Sequence, residues 1–427
     1  MPERPAEEAF ELLRPIDEAL RRLRGDAALR TRRVVDSACS VRLRTAGQEV
    51  TAFCSNDYLG LAAHPALADA LAEGARRYGA GSGASPLISG HSVAHAALEE
   101  KIAALFAPHL ETPGALLFSS GYAANLALIP ALAETAGGAD CDIFSASLNH
   151  ASLIDAARLA RGRSAGAAIH VYPHRDCEAL DEQLRHSRAR VKIIATDTVF
   201  SMDGELAPLT ALVELAERHG AWLIVDDAHG FGVLGTSGRG ALEHCGIRSR
   251  HVVYVGTLGK AAGVAGAFVA AHERAIGWLV NRARPYVYST APPPALSHAL
   301  GVALELVTGP EGARRRRQLG VLIELLRAST SLRAWRFLRS STPIQPLVIG
   351  ANDHTLTAAA FLLRQGLWVP AIRPPTVPEG TARLRISLSA DHRSDDITRL
   401  AAALSAAEED LSVEAPERGL GLPPAQR

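Results

Sequence analysis

The sequence predicts an α/β protein in which a large domain built on a mostly parallel open sheet is followed by a smaller α+β domain. Between about residues 60 and 300 short β-branched runs alternate with stretches of helical spacing, an order that buries a sheet between two layers of helices. Beyond 300 the order becomes helix, strand, helix, strand, strand, helix, which describes a separate α+β unit. A length of 427 residues also exceeds what one hydrophobic core ordinarily supports.

The chain begins with an arginine-rich segment in which Ile16, Leu20, Leu23 and Ala27 recur at helical spacing, predicting a short amphipathic helix that serves as an arm or lid. SVRLRTAG and EVTAFCSN follow as a hairpin with its turn at 47–48. Strands are expected at 115–118, near 142, and at 168–172, 191–197, 222–228 and 251–257, with HPALADALAEGARRY and LAPLTALVELAERHG among the intervening helices. A long helical region spans 295–330. PIQPLVIG, LWVPAIRPP and ARLRISLSA are the strands of the smaller domain, against which the arm is expected to pack. ANDHTLTAAAFLLRQG and SDDITRLAAALSAAEEDL are its helices. The divisions read as 1–55 for the arm and hairpin, 56–300 for the large domain, 301–414 for the small domain and 415–427 for a frayed tail.

Composition works by exclusion. Forty-five basic residues balance 45 acidic ones, so the overall charge gives no reason to expect nucleic acid or another polyanion as partner. The first residues lack the basic and apolar regions of a signal peptide, and the longest nearly apolar stretch, 261–271, falls far short of the roughly 18 residues that cross a bilayer. Cys39, Cys54, Cys141, Cys177 and Cys245 are widely spaced and form no CxxC pair, which argues against a disulfide framework or a thiolate zinc site and fits a reducing, cytoplasmic compartment.

Chemistry concentrates at the ends of the predicted strands. Lys260 follows a buried run and is flanked by Gly259, Ala261, Ala262 and Gly263. Small neighbours let something bulky approach, and a poorly solvated lysine becomes an amine nucleophile, although an ordinary surface lysine fits the same position. WLIVDDAHGFGVLG ends a strand with Asp226 and Asp227, followed by His229. One carboxylate there can face a pocket and keep a pyridinium nitrogen protonated; a metal is disfavoured because neither HExxH nor a cysteine cluster is present. In LLFSSGYAAN a strand leads through Ser119 and Ser120 to Gly121 and Tyr122, where free helix-start N–H groups would receive a phosphate. No dinucleotide or Walker fingerprint occurs.

His150 begins another helix and could stack on a flat ring, or serve structure alone. Together the lysine, carboxylate, histidine and phosphate turn suggest pyridoxal phosphate. Arg373, on a turn braced by Pro370, Pro374, Pro375 and Pro378, is expected to grip an amino-acid carboxylate across the domain cleft. Arg383 and Arg385 alternate on a strand and read as its solvated face. Arg314–Arg317 read as a solvated helix surface, or as a site for a phosphopantetheine or an acidic carrier face.

SNDYLGL, GSGASPLISGHSVAHAALEE, SSGYAAN, NHASLIDAARL, TDTVFSMDGELAPL, VDDAHGFGVLG, GTLGKAAGVAG and AIRPPTVPEGTARLRISLSA occur in this order over roughly residues 15–410. In them the chain resembles the α-oxoamine synthases, fold-type I pyridoxal-phosphate transferases. The resemblance implies that Lys260 bonds the cofactor, Asp226 pairs with its ring nitrogen, His229 and Ser201 lie near the ring hydroxyl and His150 stacks on the ring. It also implies that Gly121, Tyr122 and Thr257 hold the phosphate, and that Ser289 and Thr290 reach the phosphate of a neighbouring subunit in a homodimer. Asn56, Arg373 and Thr376 match substrate positions, and Arg30 or Arg32 resembles a residue near the distal end of the acyl chain. AIRPPTVP points to the branch that condenses L-alanine with pimeloyl-CoA or pimeloyl-[acyl-carrier protein]. A relative using glycine, serine or another thioester, or an inactive homologue with a binding role, are the alternatives.

Overall fold

The computed structural model describes residues 11–137, 140–163 and 166–414; the tail expected at 415–427 lies outside them. Its centre is a seven-stranded sheet in the order Pro113–Phe118, Ala267–His272, Val252–Thr257, Trp222–Asp226, Val191–Asp197, Cys141–Ala146, Ala167–Tyr172. The five strands from Val252–Thr257 to Ala167–Tyr172 pair in parallel. Ala267–His272 runs antiparallel to both of its neighbours. This seventh strand was not expected from the sequence. AFVAAH holds only two strong strand formers and continues an Ala/Gly-rich stretch, so its local signal is weak and its pairing is decided by the two edges it joins.

Side-chain alternation divides the core between the two faces of the sheet. Leu223, Val225, Tyr254 and Phe268 belong to one cluster, which continues through Leu300 and Ile344 to Leu384 and Leu404. Ile224, Val253, Val255 and Val269 belong to the other, with Leu128, Leu153 and Leu279 from the covering helices. With both faces covered, the carboxyl ends of the parallel strands are where polar side chains can converge. Asp197 and Asp226 stand there as direct register partners.

The expected helical region at 295–330 is two helices, Pro294–Thr308 and Pro310–Ser329, broken at Gly309. Proline at the first position of each starts a helix without forfeiting an internal hydrogen bond. Beyond them an antiparallel sheet takes the order Arg336–Phe337, Ile344–Gly350, Ala382–Ser387, Ala371–Ile372, packed against Asn352–Arg364 and, through that helix, Ser394–Glu414.

The hairpin Arg42–Thr45 and Gln48–Ala52 turns at Ala46–Gly47, one residue earlier than expected, with positive φ at both positions. Its second strand pairs in parallel with Leu367–Trp368, so the amino-terminal segment is built into the carboxyl-terminal part. The arm helix runs Arg14–Gly25 and stops short of Ala27, whose φ of 51° turns the chain back toward the body.

Candidate active site

Lys260 lies just past the end of Val252–Thr257, and its Nζ is 3.0 Å from His229 Nε2. The other imidazole nitrogen, Nδ1, is 2.7 Å from the Tyr58 hydroxyl, which donates to Asn56 Oδ1 at 3.1 Å. The tyrosine oxygen then accepts from His229 Nδ1–H, leaving Nε2 to accept from Lys260. Burial first, then the charge of Lys260, holds His229 well below its ordinary pKa, which keeps the ring neutral. Burial likewise brings Lys260 down to about 8, against the raising effect of Asp226 and Asp197.

Arg385 closes this chain of contacts. Its Nε donates to Ser201 O at 2.6 Å and its Nη1 to Ser387 Oγ at 2.9 Å and Asn56 Oδ1 at 3.3 Å. At 6% exposure it is not the solvated strand residue expected. The same correction holds for Arg383, which is 4% exposed and pairs with Asp203 at 2.7 Å. Arg385 forms no ion pair with a carboxylate among the described residues, and its positive charge lowers the pKa of both Lys260 and His229. A buried, unpaired guanidinium is a strong locus for an anionic ligand.

On the far side, Asp226 Oδ2 accepts from Asn125 Nδ2 at 2.6 Å and Oδ1 from the Ala228 N–H at 3.0 Å. Asn125 also donates to Ser152 Oγ at 2.9 Å, which lies 2.8 Å from His150 Nδ1. Since the Ser152 backbone N–H also points at Nδ1, at 3.2 Å, that nitrogen is the acceptor and the ring proton sits on Nε2. Burial lowers the His150 pKa, so Nε2 is a neutral donor. Asp197 accepts from the His150 backbone N–H at 2.6 Å, and Asn149 Oδ1 accepts from the Asp197 N–H at 3.0 Å, fixing the start of that helix. Burial and neighbouring Asp226 push Asp197 up. Asp227 turns away instead. It accepts from Tyr254 and the Ala241 N–H at 2.6 and 2.7 Å and secures the glycine-rich loop.

The helix Gly121–Ala133 starts at the sheet edge with Ser120 as its cap, Oγ accepting from the Ala123 N–H at 3.1 Å. The Gly121 and Tyr122 N–H groups precede the first helical partners and are left for a ligand. A Cβ on Gly121 would stand 2.9 Å from Thr257 Oγ1, so glycine keeps open a cradle bounded by two N–H groups and a hydroxyl. These donors suit a phosphate. With a desolvated amine, a buried carboxylate and a neutral histidine beside it, the residues present fit pyridoxal phosphate. Ser289 and Thr290 are exposed.

Arg373 is placed elsewhere. Its Nη1 donates to Ala27 O, beside Arg30, whose Nη2 donates to Thr376 Oγ1 at 3.1 Å. Arg32 is exposed and has no hydrogen bond or ion pair among the described residues. Of the Arg314–Arg317 run, Arg315 is bound to Glu311, Leu59 O and Asp391, and Arg316 to Val307 O, Gly232 O and Thr236 O. The run is therefore two internal clamps flanked by two exposed residues, not a four-arginine surface.

Sequence reasoning passed over Tyr58, Asn125, Asp197 and the orientation of Arg385. The first three stand inside motifs that were recognised, where a buried polar residue flanking a strand end is the available signal. For Arg385, strand alternation gave the wrong face because both faces of its sheet are covered.

A family profile for class I and II aminotransferases matches residues 48–404. The 8-amino-7-oxononanoate synthase of Bordetella petrii is 61% identical over 396 residues, covering 93% of this chain and 98% of its own. Among solved structures, a serine palmitoyltransferase with its pyridoxal-phosphate internal aldimine superposes with a TM-score of 0.83 and 25% identity, over 95% of this chain and all of that one. The 8-amino-7-oxononanoate synthase of Francisella tularensis does so with a TM-score of 0.68 and 28% identity, over 86% and 98% of the two chains.

Proposed function

From its membership in the 8-amino-7-oxononanoate synthases, within the class I and II aminotransferase family to which the chain belongs, we propose that it joins L-alanine to pimeloyl-CoA or pimeloyl-[acyl-carrier protein]. The products are 8-amino-7-oxononanoate, carbon dioxide and the free thiol carrier. The cofactor is pyridoxal phosphate, and when bound it supplies a conjugated ring that accepts the electron pair left at the alanine α-carbon.

The chain's own groups account for the rest. Lys260 Nζ anchors the cofactor and, when free, takes the α-proton and later returns one. Its lowered pKa makes the neutral amine available near neutrality. Asp226, held by Asn125 and the Ala228 N–H, would accept from the ring nitrogen. Gly121, Tyr122 and Thr257 would take the phosphate, and His229 and Ser201 would serve the ring hydroxyl.

His150 would lie over the ring, with its neutral Nε2–H available to a thioester carbonyl oxygen as that oxygen gains charge. The observation that carries the substrate assignment is Arg385, a buried guanidinium without a carboxylate partner beside Lys260. We assign it the alanine carboxylate, with Asn56 alongside. Arg373 then joins Arg30 and Thr376 at the distal carboxylate of the pimeloyl chain, while Arg32 is left without a substrate role.

We further propose a homodimer. Leu87, Ile88, Val93 and Tyr288 are 47, 80, 64 and 71% exposed, and the Ala291 N–H to Ala84 O bond of 2.9 Å ties their two segments together. This apolar patch adjoins Ser289 and Thr290, which would reach the neighbouring subunit's phosphate site. No helix among the described residues is long and apolar enough to cross a membrane. The scattered free cysteines fit a reducing compartment, and on that ground we propose a cytoplasmic reaction. The division at residues 55, 300 and 414 is retained as a proposal.

The deciding experiment compares alanine, glycine and serine against pimeloyl, succinyl and acetyl thioesters. Turnover with alanine and the pimeloyl donor is expected; turnover confined to glycine, or to a short donor, would overturn the assignment.

A further inference from the structure

Between the arm, the hairpin and the helix Asn352–Arg364 lies a groove of about 940 Å³. Arg30, Arg33, Arg364 and Arg373 line it, no aspartate or glutamate does, and none of the four forms an ion pair among the described residues. Arg33 instead lies 5.9 Å from the centre of the Trp368 ring and Arg364 5.7 Å from that of Phe361. Burial, and then the charge of neighbouring Arg30, lowers the pKa of Arg373. Most of the remaining wall is apolar, including Leu356, Leu363 and Val369.

Unpaired cations set around an apolar trough match a ligand that is itself divided, a hydrocarbon chain ending in an anion. An inorganic anion would leave the apolar wall wet, and an uncharged chain would leave the guanidinium groups unpaired. Arg30 and Arg373, where the functional reading above places the distal carboxylate of the pimeloyl chain, are part of the groove's lining. We propose that the groove extends the acyl-donor site and accepts ω-carboxyacyl thioesters longer than pimeloyl, their terminal carboxylate held by Arg33 and Arg364.

This inference rests on that functional reading and leaves the bond changes as they are. The alanine α-carbon bonds to the thioester carbonyl carbon, the C–S bond breaks with departure of the thiol, and the alanine carboxylate is lost as carbon dioxide. Only the length of chain beyond the carbonyl differs.

The test measures KM and kcat for thioesters of the seven-, nine- and eleven-carbon diacids with the parent enzyme and with an Arg33→Ala, Arg364→Ala double variant. Both arginines are exposed, so the variant should fold. The parent is expected to turn over all three donors. Loss of a charge-assisted contact should raise KM for the two longer donors on the order of tenfold in the variant, with the KM for the pimeloyl donor and for alanine unmoved. Parent enzyme that uses the pimeloyl donor but neither longer one, or a variant that shifts all three lengths alike, would overturn the inference.

Tryptophan fluorescence titrated with free nonanedioic acid, with Trp368→Phe as control, reads the groove without turnover. Quenching that disappears in both variants supports the site even if the condensation reading fails, and its absence in the parent overturns the site.

Discussion

Replacing Arg385 by glutamine separates the two arginines that compete for the alanine carboxylate. The substitution removes a charge that is 6% exposed while keeping a polar side chain to meet Ser201 O and Asn56 Oδ1, which the guanidinium reaches at 2.6 and 3.3 Å. Truncating one member of a buried, hydrogen-bonded charge pair costs about 2–5 kcal/mol, so the KM for alanine should rise between roughly 30-fold and several thousand-fold. Arg385 also lowers the pKa of Lys260 and of His229, and its loss should move both upward. The assay varies alanine at saturating pimeloyl thioester across a pH series, with thermal unfolding to confirm a folded variant. The KM for the thioester is the internal control. Arg373→Ala should give the opposite pattern, a weakened thioester with alanine unchanged. An alanine KM within about threefold of the parent, or the larger alanine defect falling on Arg373→Ala, would refute the reasoning.

Lys260→Ala should abolish turnover and the yellow colour of the holoenzyme; retained activity would remove the lysine from the mechanism. In the cofactor-free protein Lys260 should capture pyridoxal phosphate faster as pH rises through about 8, because the neutral amine is the nucleophile and grows from roughly a tenth of the population at pH 7 to nine-tenths at pH 9. A midpoint near the ordinary lysine value would contradict the burial argument. Gly121→Ala sets a Cβ 2.9 Å from Thr257 Oγ1 and should weaken cofactor affinity by on the order of tenfold, seen by equilibrium dialysis. Unchanged affinity would move the phosphate elsewhere. Asp197→Asn keeps an acceptor for the His150 N–H but removes a titratable carboxyl beside Asp226. It should preserve the fold and shift the pH dependence of the cofactor's absorption, whereas an identical titration would leave Asp197 a purely structural cap.

The parallel strands were legible because both their faces are buried and each reads as a continuous apolar run, as in Val191–Asp197 and Val252–Thr257. Ala267–His272 escaped because its Ala-rich sequence carries little strand signal and it is held by pairing with the preceding strand on one side and the distant Pro113–Phe118 on the other. Motif order placed Lys260, Asp226, His229 and His150 in one region, since each follows a strand that ends on the same edge. What it could not give is direction. Whether Arg385 looks inward or outward depends on what covers its sheet, and whether Arg373 meets alanine or the acyl end depends on where Ala27 turns the arm. Those are tertiary facts with no local periodicity to announce them.

The parallel pairing of Gln48–Ala52 with Leu367–Trp368 has a consequence for how recognition is divided. The hairpin segment is mechanically part of the small domain, so Arg30, Arg373, Thr376 and Arg385 ride on one body. Lys260, Asp226 and His150 ride on the other. On the roles proposed above, selection of the two substrates and the making of their bond would fall to different halves of the molecule. A bound alanine, with its carboxylate on one and its amine on the other, would then be the stitch between them.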